Sequence, residues 1–285
     1  MEIAAPAKIN LYLRVIKKLE DGYHQIETIF ERISILDRVK AELSSSGTSI
    51  SCSDENIPTG EESLLGRTVR SFRQRASLQE DFRVHIEKNI PVSAGMGGGS
   101  SDAAAVLILL NQLAGAPLGA LELAEIGASL GADIPFFLSG YSYARGTGRG
   151  DVIEKVEDDR QLWHVVVTPP FGVSTKEVYG KIPAFTLTKN RLVDKMFTAF
   201  LRSNNIKGIP ENFRNDLQDI VLREFPSLKR VFTALRSAGA RGVLLSGSGP
   251  TVFGIFDREK ADDAARYIRG EFPEDKWRIQ TARTY

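Results

Sequence analysis

Residues Gly95–Gly99 contain four glycines in five positions, and Ser100, Ser101 and Asp102 follow them into an apolar run, Ala103–Leu110. A main chain without Cβ atoms turns tightly and lets a ligand approach closely. The first turn of the helix that follows carries unpaired N–H groups and the positive end of the helix dipole, which together suit a phosphate. The two serine hydroxyls add donors, or a magnesium ligand. No lysine follows the glycines, so this is not a Walker A loop. Nor does it show the GxGxxG-then-acid arrangement of a dinucleotide fold. Taken alone, the same residues also fit a flexible turn ahead of a buried helix.

Four further sites carry side chains with chemistry. Asp133 lies in an otherwise apolar run, Leu130–Leu138, where a carboxylate is partly desolvated unless paired; alternatively it caps a helix that starts before Pro135. Lys8 sits in the first strand, either as a solvated surface lysine or as a cation holding Asp133 ionised beside a phosphate loop. Tyr23 and His24 follow Asp21-Gly22 and offer a ring face and a base-edge hydrogen bond, or simply two rings in a turn. Gly247 and Gly249, within Leu244–Phe253, allow close backbone approach or a tight strand connection. Tyr179 reads as a lone aromatic, His85 and His164 as strand residues with structural roles, and Cys52 has no motif.

The elements that must position these residues follow from periodicity. Ile9, Leu11, Leu13 and Val15 alternate with Lys8, Asn10, Tyr12 and Arg14, which predicts a half-buried strand with the second set on its polar face. Strands are also predicted over 25–36, 37–43, 82–86, 163–168, 242–246 and 251–256, and helices over 63–75, 101–113, 121–130, 191–201, 226–238 and 257–270. Gly115 and Pro117 stop the helix that leaves the glycine loop. Strands come early and without regular βαβ alternation, so the fold class is α+β. A charged stretch, Glu154–Arg160, places a domain boundary at 158/159, giving domains 1–158 and 159–285.

The 285 residues are 42% hydrophobic, enough for a core without disulfides or a structural metal. Lys+Arg total 37 and Asp+Glu 36. That balance argues against nucleic acid as a partner, since such binding needs a basic excess, and against a polybasic membrane-surface protein. One cysteine and three histidines exclude an internal disulfide and argue against a zinc cluster. The opening residues lack a basic n-region ahead of an apolar core, so no signal peptide is expected, and no apolar run approaches the ~20 residues of a membrane helix. A soluble, cytoplasmic protein is expected.

Together, Pro6–Leu11 (PAKINL), Asp21–His24 (DGYH), the PxxxGxGxxSS loop Pro91–Ser101, Gly131–Pro135 (GADIP) and Ser246–Thr251 (SGSGPT) resemble the GHMP small-molecule kinase superfamily. The resemblance runs from Pro6 to about Phe256. It implies an N-terminal domain like domain 2 of ribosomal protein S5 and a ferredoxin-like C-terminal domain. ATP, the implied phosphoryl donor, would lie on Pro91, Val92, Ser93, Ala94, Gly95, Met96, Gly97, Gly98, Gly99, Ser100 and Ser101, with Mg²⁺ accompanying it and no dedicated metal site. Lys8 and Asp133 match the family's catalytic lysine and base. Asn10, Tyr23, His24 and Tyr179 match substrate positions in members that phosphorylate a small-molecule cytidine diphosphate compound for isoprenoid precursors, with His24 bonding the base. Ser63 departs from the Asn that relatives carry near adenine, and Lys88 falls on the purine side by position. The expected state is a monomer or weak homodimer. A homoserine or mevalonate kinase would not need the Tyr23-His24 pair, and a nucleotide-binding signalling protein would not need both Lys8 and Asp133.

Overall fold

The computed structural model describes residues 1–158, 160–182, 214–273 and 276–285; the helix expected over 191–201 lies outside them. Two long strands, β1 (Glu2–Lys18) and β2 (His24–Ser44), pair antiparallel over almost their whole length. Their turn is closed by the Asp21 carboxylate, which accepts from the Tyr23 amide at 3.0 Å, and by Gly22 at φ 87°. β2 is thus a single strand where the sequence suggests two, because its partner β1 continues past every break in its hydrophobic rhythm.

The expected polar face of β1 is buried and holds only as far as a bulge at Leu11. Lys8, Asn10 and Tyr12 are all buried. Asn10 pairs with Phe30 but Tyr12 with Ile29, so Leu11 is an extra residue and the strand is bulged there. A bulge reverses the alternation beyond it. Ile9, Leu11 and Tyr12 therefore pack together against Val166, Leu244 and Phe253. Leu13 turns instead to the side of Lys8 and Asn10, where all three line one cavity.

β3 (Ser49–Cys52), β4 (Asp81–Glu87), β5 (Tyr143–Thr147), β6 (Val152–Lys155) and β8 (Arg214–Asn215) complete the first sheet, whose main path runs β3-β4-β2-β1-β8. α1 (Leu64–Ala76) links the parallel strands β3 and β4. It starts at Ser63, whose hydroxyl accepts from the Gly66 amide at 3.0 Å, so Ser63 serves as a helix cap. α2 (Gly98–Leu113) is buried along almost its whole length, as an apolar-all-round helix must be. α3 (Ala120–Leu130) and the short α4 (Ile134–Ser139) pack beside it.

The second sheet, β11-β7-β10-β9, is antiparallel throughout and consists of β7 (Trp163–Thr168), β9 (Gly242–Leu245), β10 (Val252–Phe256) and β11 (Arg278–Arg283). It carries α5 (Thr175–Gly180), α6 (Gln218–Glu224), α7 (Leu228–Ser237) and α8 (Arg258–Glu271). With helices between β7 and β9 and between β10 and β11, this is the β-α-β-β-α-β plan of ferredoxin-like folds. The expected 158/159 division falls between β6 and β7. Arg214–Asn215 crosses back, however, pairing in parallel with Tyr12 and Leu13 of β1. No helix among the described residues is long and apolar enough to cross a membrane.

Asn215 ties this crossing to the second sheet. Its amide donates to Leu245 O at 2.8 Å and Gly247 O at 2.7 Å, and its Oδ1 accepts from the Leu217 amide at 2.9 Å. Asn215→Ala strands three buried backbone groups, each worth about 1–3 kcal/mol if left unpaired. The variant is expected to lose at least about 2 kcal/mol of unfolding free energy in a urea titration.

Candidate active site

A cavity of about 1220 Å³ opens where the two sheets meet. The glycine loop, β1, the 21–24 turn, the head of α4, α5 and the Gly247-Ser248 turn all contribute to its wall.

The loop is fixed by its carbonyls. Met96 O accepts from Lys8 N at 2.9 Å, Gly95 O from the Ser246 hydroxyl at 2.9 Å, and Ser93 O from Val173 N at 3.3 Å. Both sheets therefore hold it. Two glycines are indispensable to this closure. A Cβ on Gly95, already at φ 74°, would lie 2.3 Å from Ser246 O. One on Gly247, at φ 55°, would crowd Asn10 Oδ1 at 3.2 Å and Lys8 Nζ at 3.3 Å. Gly98 is already helical, and a Cβ on it would lie 3.0 Å from Ile90 Cγ2 and 3.3 Å from Lys88 Nζ. The helix starts three residues earlier than the sequence suggests, with left-handed Gly97 as its N-cap.

Of the residues matched to ATP binding, Pro91, Val92, Ser93, Ala94, Gly95, Gly97, Gly98, Gly99 and Ser100 line the cavity. Met96 and Ser101 do not. The Met96 side chain is packed in the core beside Ile9 and Ile90. The Ser101 hydroxyl is buried and has no hydrogen-bond partner among the described residues.

Lys8 reaches across the cavity floor. Its Nζ donates to Asn10 Oδ1 at 2.7 Å, stands 3.6 Å from Asp133 Oδ2 and lies 5.5 Å from the Phe30 ring centre. The Asn10 amide donates onward to the Thr28 hydroxyl at 2.7 Å, and that hydroxyl donates to Tyr12 O at 2.7 Å. Asp133 occupies the N-cap position of α4 but makes no side-chain cap bond, and its carboxylate is about one-third exposed to the cavity. The carboxylate is therefore not taken up by the amides of α4.

The opposite end of the cavity is aromatic. The His24 and Tyr179 rings lie 5.2 Å apart, and Tyr23 is exposed at the rim with the Arg149 guanidinium 5.1 Å over its ring. Burial and the nearby Lys18 ammonium push the His24 pKa down, favouring a neutral imidazole at pH 7. Burial, and then the carboxylates of Asp133 and Asp216, push the Tyr179 hydroxyl up, so it stays a neutral phenol. Gly148-Arg149-Gly150 is a signal the sequence reading passed over: an arginine between two glycines, both left-handed, is presented on a tight turn.

A second polar cluster has no local sequence signal at all. Lys88 bridges Asp37 and Asp102, the latter at 2.7 Å, with all three side chains nearly sealed from solvent. Asp37 also accepts from the amides of Asn89 and Ile90 at 2.5 and 2.7 Å. Lys88 and Asp102 line the cavity wall behind the glycine loop. The lysine expected on the purine side is thus held by two carboxylates that lie 51 and 14 residues away in sequence. His85 bonds Ser51 on the outer strands, and His164 is buried against Glu31, 2.9 Å away, between the sheets.

A two-sheet α+β fold with a glycine loop, a lysine–aspartate pair and a shared cleft defines a small-molecule kinase of the GHMP type. Residues 63–141 match the GHMP kinases N terminal domain and residues 196–274 the GHMP kinases C terminal domain. A 4-diphosphocytidyl-2-C-methyl-D-erythritol kinase of Syntrophus aciditrophicus is 37% identical over 271 residues, 95% of each chain. The crystal structure of a 4-(cytidine 5'-diphospho)-2C-methyl-D-erythritol kinase superposes with a TM-score of 0.81 at 34% identity, covering 99% of both chains. Methanococcus jannaschii mevalonate kinase shares the fold, with a TM-score of 0.75 at 15% identity over 100% of this chain and 98% of that one. The chain belongs to the GHMP kinases and, among them, to the group of 4-diphosphocytidyl-2-C-methyl-D-erythritol kinases.

The Asp102 cluster has a pH signature. Burial pushes the Asp102 carboxyl up from 3.8 to about 7; the Lys88 ammonium opposes this and the Asp37 carboxylate adds to it. An acid whose pKa rises on folding favours the folded state while protonated. Its contribution is full below the unfolded value and is lost as pH climbs through the folded one. Between pH 3.8 and about 7, Asp102 is expected to lower stability progressively. Asp102→Asn should flatten that part of the curve of unfolding free energy against pH, measured by urea titration at each pH.

Proposed function

We propose that the protein transfers the γ-phosphoryl group of ATP to the 2-hydroxyl of 4-diphosphocytidyl-2-C-methyl-D-erythritol. One observation carries the reading: Lys8 and Asp133 stand in a cavity shared by the glycine loop and the Tyr23-His24-Tyr179 cluster. Donor and acceptor can therefore meet at a carboxylate.

In this reading the triphosphate rests on the loop amides and the first turn of α2, whose dipole favours negative charge. Asp133 accepts the proton of the substrate hydroxyl. The oxygen forms its bond to the γ-phosphorus as the bond to ADP breaks, and the proton stays on Asp133 until it passes to water. Lys8 stands 3.6 Å from the carboxylate and places its ammonium beside the oxygens that exchange charge. Asn10 holds Lys8 through Oδ1 and keeps one amide hydrogen for the substrate, since an amide nitrogen has two and Thr28 takes one. Phosphoryl transfer asks for positioning and electrostatics more than for covalent chemistry, and these groups supply both.

At the other end, Tyr23 and Tyr179 offer ring faces to cytosine and the neutral His24 imidazole a hydrogen bond to its edge. Mg²⁺ fits this site as the companion of the nucleotide, neutralising phosphate charge. Among the described residues no three carboxylate, imidazole or thiol groups gather to hold a metal. Phosphate oxygens and water would supply most of its ligands, with the Ser100 hydroxyl on the cavity wall. A reaction that consumes ATP fits a cytoplasmic setting.

Asp133→Asn is nearly isosteric and cannot accept the proton. Turnover is expected to fall by about 10²–10⁴, the usual worth of a general base, while ATP affinity measured by calorimetry is unchanged. Turnover within about tenfold of wild type would remove the role.

Tyr23→Ala and His24→Ala test the substrate. Stacking on one base is worth ~1–3 kcal/mol, so each variant should raise the KM for the cytidine substrate roughly tenfold to a hundredfold. The KM for ATP should stay the same. Variants that weaken ATP and spare the cytidine compound would reverse the assignment of the two ends.

A further inference from the structure

Asp133 stands at the head of α4, and α4 is only six residues long. A helix of that length has little stability of its own, since isolated helices shorter than ~12–15 residues are marginal in water. Its last four carbonyls lack backbone partners within the helix, and the Ser139 hydroxyl donates to that of Phe136 at 2.7 Å. Whatever holds α4 therefore holds the carboxylate at its head. Asp133 does not secure itself, because its side chain makes no cap bond.

The far end of α4 is held by Arg32, from β2. Its Nη2 donates to Phe136 O at 2.9 Å and to Phe137 O at 2.5 Å. A cation there also meets the negative end of the helix dipole. The guanidinium is buried, and its Nε has no partner among the described residues. Its hydrogen bonding is thus directed to α4. Burial pulls its pKa down to about 10, with Tyr285 acting the other way. Packing alone does not call for so expensive a group on an aromatic ring; an apolar side chain would fill the space without desolvating a charge.

Arg32 is also linked to the reacting groups by register. It lies directly opposite Lys8 in the β1–β2 ladder. Its guanidinium sits 5.3 Å over the Phe136 ring, Phe136 stacks on Phe30 at 4.8 Å, and the Lys8 ammonium lies 5.5 Å over Phe30. Two cations on one cross-strand pair thus bracket α4, Lys8 at its carboxylate end and Arg32 at its carbonyl end.

We propose that Arg32 is a positioning residue for phosphoryl transfer: by clamping the carbonyl end of α4 it sets the place of the Asp133 carboxylate relative to Lys8. The proposal rests on the reading of Asp133 as the proton acceptor.

The test is steady-state kinetics on the full chain, with Arg32→Met and Arg32→Lys each made in the wild-type and Asp133→Asn backgrounds. A displacement of about 1 Å can cost on the order of 10² in rate. Arg32→Met is therefore expected to lower kcat about tenfold to a hundredfold, with both KM values nearly unchanged. Arg32→Lys, which keeps a donor, should recover part of kcat. In the Asp133→Asn background neither variant should cost anything further, because residues acting through one another are not additive. An equal loss in both backgrounds, or a wild-type kcat for Arg32→Met, overturns the proposal. Should Arg32→Met not fold, Arg32→Lys alone decides: a loss that requires Asp133 supports the clamp, and no loss or an equal one overturns it. A wild-type kcat for Asp133→Asn itself would count against the reading of Asp133, whatever Arg32 does.

Discussion

A lysine ammonium buried in the middle of β1 sets the terms for everything around it. A buried charge must be paired and hydrogen-bonded, and Lys8 meets that demand with Asn10, Asp133 and the face of Phe30. Each partner then needs its own support. Asn10 is anchored by Thr28, and Thr28 by the carbonyl of Tyr12. The bulge at Leu11 lets Leu13 join Lys8 and Asn10 on the cavity side. Gly247 has to lack a side chain because Lys8 and Asn10 occupy the space one would take. The ammonium therefore connects a strand, a helix head and a turn from the second sheet.

The second sheet takes part in the site through both backbone and side chains. Ser246 holds the glycine loop by its hydroxyl, and Gly95 must be glycine because Ser246 O lies where its Cβ would be. Away from the cleft the sheets are joined by an apolar layer, with Ile9, Leu11 and Ile33 against Leu244, Phe253 and Ile255. A buried polar chain runs beside it: Glu31 accepts from the Thr284 hydroxyl at 2.7 Å and pairs with His164, while Thr284 meets the Tyr143 hydroxyl at 2.8 Å. These contacts need particular geometry, so they favour one arrangement of the sheets where an oily interface alone would tolerate several. The cleft keeps its shape because the joint behind it does.

In the proposed function the cavity separates its tasks in space. There the glycine loop and the start of α2 would serve phosphate. Rings and a neutral imidazole would serve a flat base, where shape and a directed hydrogen bond matter. Asp133, which makes no cap bond, would lie where the two meet.

Much of this was legible in the linear sequence because it is local. A strand declares itself by alternation, a phosphate loop by glycines ahead of a helix, and a turn by Asp-Gly; the segments Pro6–Leu11, Asp21–His24, Pro91–Ser101 and Gly131–Pro135 each hold their chemistry within a few residues. The α+β class and the kinase family follow from such segments, since each needs only its own neighbours to take shape. What the chain order could not show depends on contacts between distant residues. The burial of the supposed polar face of β1 required the bulge and the second sheet. The place of Gly98 required Ile90, and the withdrawal of Met96 into the core required Ile9. Lys88 acquired its partners from β2 and α2. Arg32 is one charged residue among many in the sequence, and becomes a clamp only where the fold lays α4 against β2. Burial, charge pairing and the support of a short helix are properties of packed surfaces, and those surfaces exist only once the chain has closed on itself.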